Sequence, residues 1–238
     1  MKFLKSVFFM VLIFQFVSIH AEAVVTGSNP DWSLYYSFDD VLNYVNYSNS
    51  IADHSDVEKA FGKYRNLSGS AIYPYSISTT SPFKGRAAAL DGTRYIEMGG
   101  TYPLESLGHT GGHKITISLW AKFTNSDPYG NDCFIAKNTS DGGNTFLFGI
   151  WDSRMTVQIN DQYIKSTYVD GTNGSSIDVY DSNWHHFAVS IKESSAGSGI
   201  SYVTLWIDGV KKWTNSTLSS VATDAQMTAN NIPTIGME

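Results

Sequence analysis

Residues Asn183–Asn215 hold two runs in which apolar and polar side chains alternate, separated by a short segment rich in Gly and Ser. In the first run Phe187, Val189 and Ile191 share one side, as a β-strand with one buried face requires. The second run ends at Asp208-Gly209, a pair that favours a type I′ turn because both of its positions need positive φ. The pattern predicts antiparallel strands joined by tight turns.

The rest of the chain has the same character, with short alternating segments, frequent turn residues and no sustained helical periodicity. We therefore predict an all-β fold, a two-sheet antiparallel β-sandwich. Strands are predicted at Leu34–Phe38, Ala87–Leu90, Arg94–Met98, Ile115–Phe123, Cys133–Lys137, Thr145–Trp151, Arg154–Asn160, Gln162–Ser166, Ile177–Tyr180, His185–Lys192, Ile200–Ile207 and Val210–Thr214. A short helix is predicted only at Asp56–Tyr64.

The N-terminus has the three parts of a secretory signal peptide. Lys2 and Lys5 precede an apolar run over Val7–Val17, and Ala21-Glu22-Ala23 follows as a cleavage site. The apolar run is shorter than the roughly 20 residues that span a bilayer, so a membrane anchor is the less favoured alternative. We expect a signal peptide at 1–23 and one secreted, extracellular domain at 24–238.

Charge and cysteine content narrow the function classes. The formal net charge is −6, and no basic run indicates binding to nucleic acid or to an anionic membrane. Cys133 is the single cysteine, so no internal disulfide can form and stability must come from the core.

Several segments together resemble the laminin-G-like, concanavalin A-like jelly-roll family. They are Trp32–Phe38, Gly85–Gly92 with Tyr95-Ile96, Ile115–Lys122, Trp184-His185-His186 and Leu205–Gly209. The resemblance implies a jelly-roll fold, in a family whose members mostly bind ligands and seldom catalyse reactions. It also implies that residues 40–82 are an irregular insertion, and that the closing strands of the family lie beyond Glu238.

Members of this family commonly hold a calcium ion at one edge of the sandwich. The resemblance places Asp39, Asp40 and Asp91 at the matching motifs, so they are the expected ligands of a structural Ca²⁺. Calcium takes about six to eight oxygen ligands, which carbonyl groups and water would complete. A simple turn at Asp91-Gly92 is the alternative.

Laying out the hairpin around Asp152-Ser153 assigns its two faces. Phe148 then opposes Val157 and Ile150 opposes Met155, which gives one apolar face. The other face is polar and carries Leu147, Gly149, Trp151, Arg154, Thr156, Gln158 and Asn160. The hairpin at Asp208-Gly209 likewise places Val203, Leu205, Ile207 and Val210 inside, against Tyr202, Thr204, Trp206, Lys211 and Trp213.

Polar sheet faces that carry tryptophan suit glycans, because indoles stack on sugar rings while amides and cations bond to hydroxyls. The candidate ligand-binding residues are Trp151, Arg154, Gln158 and Asn160, followed by Trp120 on the Ile115–Phe123 strand. The alternative for each tryptophan is packing beneath a loop.

Metal-dependent and hydrolytic activities are less favoured. His185 and His186 adjoin in a strand, so they point to opposite faces and cannot share a metal ion. Glycosidases on this scaffold need two carboxylates across the scissile bond, and the chain has no Glu-x-Asp-x-x-Glu strand that would supply them. We expect no catalytic residues.

These observations predict a non-catalytic extracellular module that binds carbohydrate or glycoprotein. A protein-interaction or adhesion domain without a sugar site is the first alternative. A polysaccharide hydrolase or lyase is the second.

Overall fold

The structure is a computed structural model. It describes residues 50–51, 62–69, 77–78, 87–88, 90, 93–98, 114–123, 132–138, 144–159, 162–171, 177–193, 200–215 and 233–236. The predicted signal peptide and the predicted strand at Leu34–Phe38 lie outside these residues. Among the described residues, no helix is long and apolar enough to cross a membrane.

All the regular secondary structure among the described residues is β-strand. The strands are β1 (Ser50–Ile51), β2 (Gly62–Asn66), β3 (Ile77–Ser78), β4 (Ala87–Ala88), β5 (Arg94–Glu97), β6 (Lys114–Lys122), β7 (Asp132–Asn138), β8 (Asn144–Trp151), β9 (Arg154–Ile159), β10 (Gln162–Tyr168), β11 (Trp184–Glu193), β12 (Ile200–Ile207), β13 (Val210–Asn215) and β14 (Thr234–Ile235).

Two larger sheets pack face to face. One has eight strands in the order β1-β2-β5-β14-β7-β8-β9-β10, and the other has four in the order β13-β12-β11-β6. A separate two-stranded sheet joins β3 to β4. Every pairing is antiparallel, so the predicted antiparallel β-sandwich is confirmed.

Aromatic rings join the two sheets at the core. Phe134 of β7 packs on Phe148 of β8 with centroids 5.3 Å apart, and on Phe187 of β11, across the sandwich, at 4.7 Å. Phe123, after β6, reaches Phe134 at 5.9 Å and Tyr180 at 5.2 Å. Such pairs add about 0.5–1.5 kcal/mol each beyond the burial of their area.

The β8–β9 hairpin has the predicted register. Phe148 opposes Val157 and Ile150 opposes Met155, and all four are buried. The turn residues Asp152 and Ser153 have φ of 55° and 56°, the positive values of a type I′ turn. The hydrophobic alternation alone therefore fixed which face enters the core.

The β12–β13 hairpin departs from the prediction at one position. The register shifts between Leu205 and Trp206, so Trp206 pairs with Lys211 while Leu205 pairs with Trp213. The extra residue turns Trp213 inward against the core, not outward as predicted. Val210 was expected inside but is 54 % exposed beside the turn.

The predicted helix at Asp56–Tyr64 is wrong over its last residues, where β2 begins at Gly62. β2 pairs with β5, and Arg65 binds Glu97 through two hydrogen bonds of 3.0 and 3.1 Å. Pairing with a neighbouring strand overrides a weak local helical pattern. The stretch 40–82, expected to be an irregular insertion, thus contains two strands of the larger sheet, β1 and β2.

Two further predicted strands differ from the structure. Ile177–Tyr180 forms a turn, with one isolated bridge between Asp170 and Asp178. Val179 is nevertheless buried, and its N–H donates to the Val169 carbonyl at 2.8 Å. The apolar alternation here reflects the burial of a loop. A pattern of apolar residues does not by itself distinguish a buried loop from a strand. Of the predicted strand Ala87–Leu90, the described residues Ala87–Ala88 pair with β3, and Leu90 is not in a strand.

Gly149 offers a test of the packing between β7 and β8. A Cβ at Gly149 would clash with the Asp132 carbonyl oxygen, a backbone atom that cannot rotate away. We expect Gly149→Ala to lower the free energy of unfolding by about 1–3 kcal/mol because the strands must separate. Urea denaturation measures the change. Thr167→Ala, at an exposed position of β10, is the control, and equal stability of the two variants would contradict the described packing.

Candidate functional site

The predicted ligand-binding residues lie on two different outer surfaces. The side chain of Trp120 projects from β6 on the face opposite the core-packed Leu119 and Ala121. Trp151 projects from β8 on the face opposite the buried Ile150. Because these are the outer faces of the two packed sheets, Trp120 and Trp151 cannot contact the same small ligand. We name them the Trp120 face and the Trp151 face.

One cross-strand row carries two of the predicted residues of the Trp151 face, Trp151 and Arg154. Trp151 pairs with Arg154, and Arg154 pairs with Tyr168 of β10. The Arg154 guanidinium carbon lies 4.2 Å from the centroid of the Tyr168 ring, and its Nη2 donates to the Tyr168 hydroxyl at 2.7 Å. All three side chains are partly buried, and the tyrosine holds the arginine in one orientation.

The centre of the Trp151 face is not open to solvent. Gln158 is only 2 % exposed, and Leu147 and Thr156 beside it are buried as well. The amide of Gln158 is thus inaccessible to a ligand in this structure, against the expectation of an exposed polar face. Asn160 lies outside the described residues.

The Trp120 face is built from five rows of side chains that the strand register defines. In order along β6 the rows are Lys122 with Trp184, Trp120 with His186, Ser118 with Ala188, Trp206 and Lys211, Thr116 with Ser190 and Thr204, and Lys114 with Lys192 and Tyr202. Aromatic side chains occur in four of these rows. Sequence reasoning found Trp120 but did not connect it with Trp184, Trp206 or His186, since only the register brings them together.

Trp120 has the accessible indole of this face. It is 42 % exposed, and its ring centroid lies 5.2 Å from that of His186 on the neighbouring strand. His186 Nε2 lies 2.7 Å from the Ser118 hydroxyl oxygen, which fixes the imidazole beside the indole. Burial lowers the pKa of His186, although the negative charge of Asp208 partly opposes this. The imidazole is therefore neutral at pH 7.

A histidine clasp supports the end of this face. His185 Nδ1 lies 2.8 Å from Asp208 Oδ2, and His185 Nε2 lies 3.0 Å from Asp181 Oδ1. Asp208 Oδ1 also accepts the His186 backbone N–H at 2.9 Å. A neutral imidazole carries one N–H, so both contacts to carboxylates require the protonated ring. The clasp ties the Asp208-Gly209 turn to the loop that precedes β11.

The titration of the clasp follows from its contacts. Burial alone would lower the pKa of His185, but hydrogen bonds to Asp208 and Asp181, and their charges, outweigh it and raise the pKa above 6.5. Hydrogen bonds from the side chain and backbone of Asn183, and then from His185, lower the pKa of Asp181 to about 2. The two histidines point to opposite faces, as predicted.

The predicted calcium ligands Asp39, Asp40 and Asp91 lie outside the described residues, so the calcium site stays a prediction. Within the part of the chain that the structure describes, no three His, Cys, Asp or Glu side chains are grouped to hold a metal ion.

Comparison with protein families identifies the chain. Residues 92–237, more than half of the sequence, match the family described as the concanavalin A-like lectin/glucanases superfamily. The chain therefore belongs to this superfamily, as the resemblance implied. No curated protein sequence matches.

Solved structures with the same fold include the binding domain of botulinum neurotoxin serotype D, with a TM-score of 0.50 and 12 % identity. That alignment covers 87 % of this chain but 44 % of the toxin domain, so the chain spans less than half of its length. An alginate lyase from Corynebacterium sp. aligns with a TM-score of 0.34 and 11 % identity, over 84 % of this chain and 85 % of the lyase. At 12 % identity the likeness to the toxin domain shows the fold alone.

The two histidines have opposite effects on stability as pH changes. The raised pKa of His185 means that its contribution is complete below pH 6.5 and is lost as pH rises through the folded-state pKa. The lowered pKa of His186 means that its contribution is present above pH 6.5 and is lost as pH falls through the folded-state pKa.

We therefore expect the stability of His185→Gln to rise with pH between 5 and 8 relative to wild type, and that of His186→Gln to fall. Urea denaturation at several pH values measures the difference, and the remaining histidines are common to all three proteins. Parallel pH profiles for the two variants would contradict the described contacts.

Proposed function

We propose that this chain is a non-catalytic carbohydrate-binding module of a secreted protein and that it binds glycan on the Trp120 face. The observation that carries the proposal is Trp120, 42 % exposed, on a sheet face lined by further aromatic residues. Secretion rests on the predicted signal peptide.

The chemistry of the face supports glycan binding. The apolar C–H face of a sugar ring packs on an indole, and hydroxyl groups bond to nearby polar side chains. Next to Trp120, the register supplies the Ser118 hydroxyl and the neutral His186 imidazole. Rows of a strand are about 7 Å apart, so successive rows offer contacts to successive parts of an extended ligand.

The Trp151 face supports this function less well. Gln158 is buried, and Arg154 is held against Tyr168. Trp151 is partly buried, which agrees with a tryptophan that packs against its own protein. We therefore favour Trp120 over the residues ranked first from sequence.

The alternative without a sugar site, a protein-interaction or adhesion domain, would use the same exposed face for a protein partner. A hydrolase or lyase would require two carboxylates brought together by the fold. Binding without turnover of the bound polysaccharide separates our proposal from both alternatives.

The test is a glycan-array and affinity-gel assay on the full chain. We expect Trp120→Ala to weaken glycan retention by about tenfold through loss of the stacking surface, and Trp120→Phe to weaken it less. Trp151→Ala is the matched control, since it removes an indole from the other face, and it should retain binding. A parallel measurement with a chelator tests the predicted calcium.

Thermal unfolding verifies that each variant is folded. Loss of retention in folded Trp151→Ala with full retention in Trp120→Ala would overturn the assignment of the face. Absence of glycan binding by the folded wild-type chain would overturn the function and favour a protein partner.

A further inference from the structure

The fold gathers lysines on the Trp120 face that are far apart in the sequence. Lys122 lies in the row of Trp184, Lys211 in the row of Trp206, and Lys114 with Lys192 in the row of Tyr202. The chain as a whole is acidic, with 16 Lys and Arg against 22 Asp and Glu. The positive charges of this face are thus a local property, created by the register of three strands.

These lysines have no carboxylate partners among the described residues. The ion pairs there are Arg65 with Glu97, Lys165 with Asp152, and the histidine clasp. Asp208 borders the Trp120 face, but both of its oxygens already accept hydrogen bonds from β11. The positive charge of the face is therefore not neutralised within the described part of the protein.

Lys114 and Lys192 are direct cross-strand partners. Like charges opposite each other in a sheet are destabilising. The neighbouring Tyr202 only partly compensates, because Lys192 Nζ lies 5.9 Å from its ring centroid. An anionic group placed between the two ammonium groups would convert this repulsion into attraction.

We propose that the ligand of the Trp120 face is an anionic polysaccharide, bearing carboxylate or sulfate groups, whose sugar rings stack on Trp120 and Trp206 while its acidic groups pair with the lysines. This inference rests on the proposed function and specifies its ligand class. The lysine rows are spread along the nine residues of β6, a length of about 27 Å at 3.4 Å per residue. The ligand is therefore a chain of several sugars.

A polysaccharide fits the face better than a nucleic acid or a membrane surface. Each of the lysines shares a row with an aromatic side chain on this one sheet, so an ammonium group lies close to a surface on which a sugar ring can stack. A duplex or a bilayer would extend beyond this sheet and meet the remainder of an acidic chain, whose net charge is −6, and like charges repel there.

The test compares polysaccharides of matched backbone on the full chain by isothermal titration calorimetry. Dextran sulfate and dextran differ in sulfate, and polygalacturonate and its methyl ester differ in carboxylate. We expect dextran sulfate, polygalacturonate or both to bind at least about tenfold more tightly than the uncharged counterpart, with an affinity that falls as salt screens the charges.

Lys114→Gln/Lys192→Gln should weaken binding of the anionic polymer by about tenfold. Its stability should equal or exceed that of wild type, because the repulsion is removed. Lys63→Gln/Lys165→Gln is the control. It removes the same net charge from the outer side of the larger sheet and should leave binding unchanged.

The outcomes distinguish the two proposals. Equal binding of charged and uncharged polymers, or no effect of the Lys114 and Lys192 changes, overturns the anionic ligand, while loss of binding in Trp120→Ala still supports a glycan site. An effect of the lysines without any effect of Trp120→Ala overturns the glycan site itself. Equal affinity for a DNA oligonucleotide or for phosphatidylserine vesicles also overturns the ligand class.

Discussion

The contact between Phe134 and Phe187 determines how the rest of this structure is arranged. These rings lie 4.7 Å apart and join β7 of the larger sheet to β11 of the smaller one. Once one residue of a strand faces the core, alternation determines to which side of the sheet each other side chain of that strand points, up to the next bulge. The burial of Phe187 therefore sends His186 and Ala188 outward, and the pairing with β6 places Trp120 and Ser118 beside them. The outward direction of these side chains, with Trp120 exposed among them, is a direct consequence of the core.

The turn at Asp208-Gly209 adds local order to this face. Its positive φ values of 52° and 74° create the hairpin, and the Asp208 carboxylate bonds to both His185 and the His186 backbone. The clasp thus holds the β11 end next to Trp120. By contrast, the opposite end carries two facing lysines that oppose folding. The two ends of the face thus contribute with opposite sign to stability, and the repulsion at the lysine end is only partly offset by Tyr202.

The sequence was sufficient to predict the fold wherever hydrophobic alternation was the dominant effect. Hydrophobic alternation predicted the sandwich and the register of Phe148 with Val157, since a one-residue slip would have exposed every core side chain. Prediction from hydrophobic alternation failed where the structure depends on residues that are distant in the sequence. The bulge that turns Trp213 inward and the pairing that makes Gly62–Asn66 a strand depend on neighbouring strands.

The candidate site was only partly predictable for the same reason. Trp120 could be proposed as an outward-facing aromatic residue from the alternation of its own strand. The burial of Gln158 depends on the tertiary fold, and an alternating pattern cannot show it. Nor could the sequence reveal that Lys114 and Lys192, 78 positions apart, are direct neighbours. A search for runs of basic residues misses a charged surface that is assembled from several strands.

The most direct test of the account is to follow the indole N–H signals of the ¹⁵N-tryptophan-labelled chain by NMR during titration with an anionic polysaccharide, with each signal assigned by substitution. Our account predicts that the signals of Trp120 and Trp206 shift saturably with a common affinity, while those of Trp151 and of the core-packed Trp213 remain in place. Shifts confined to Trp151, with Trp120 and Trp206 unchanged, would contradict it.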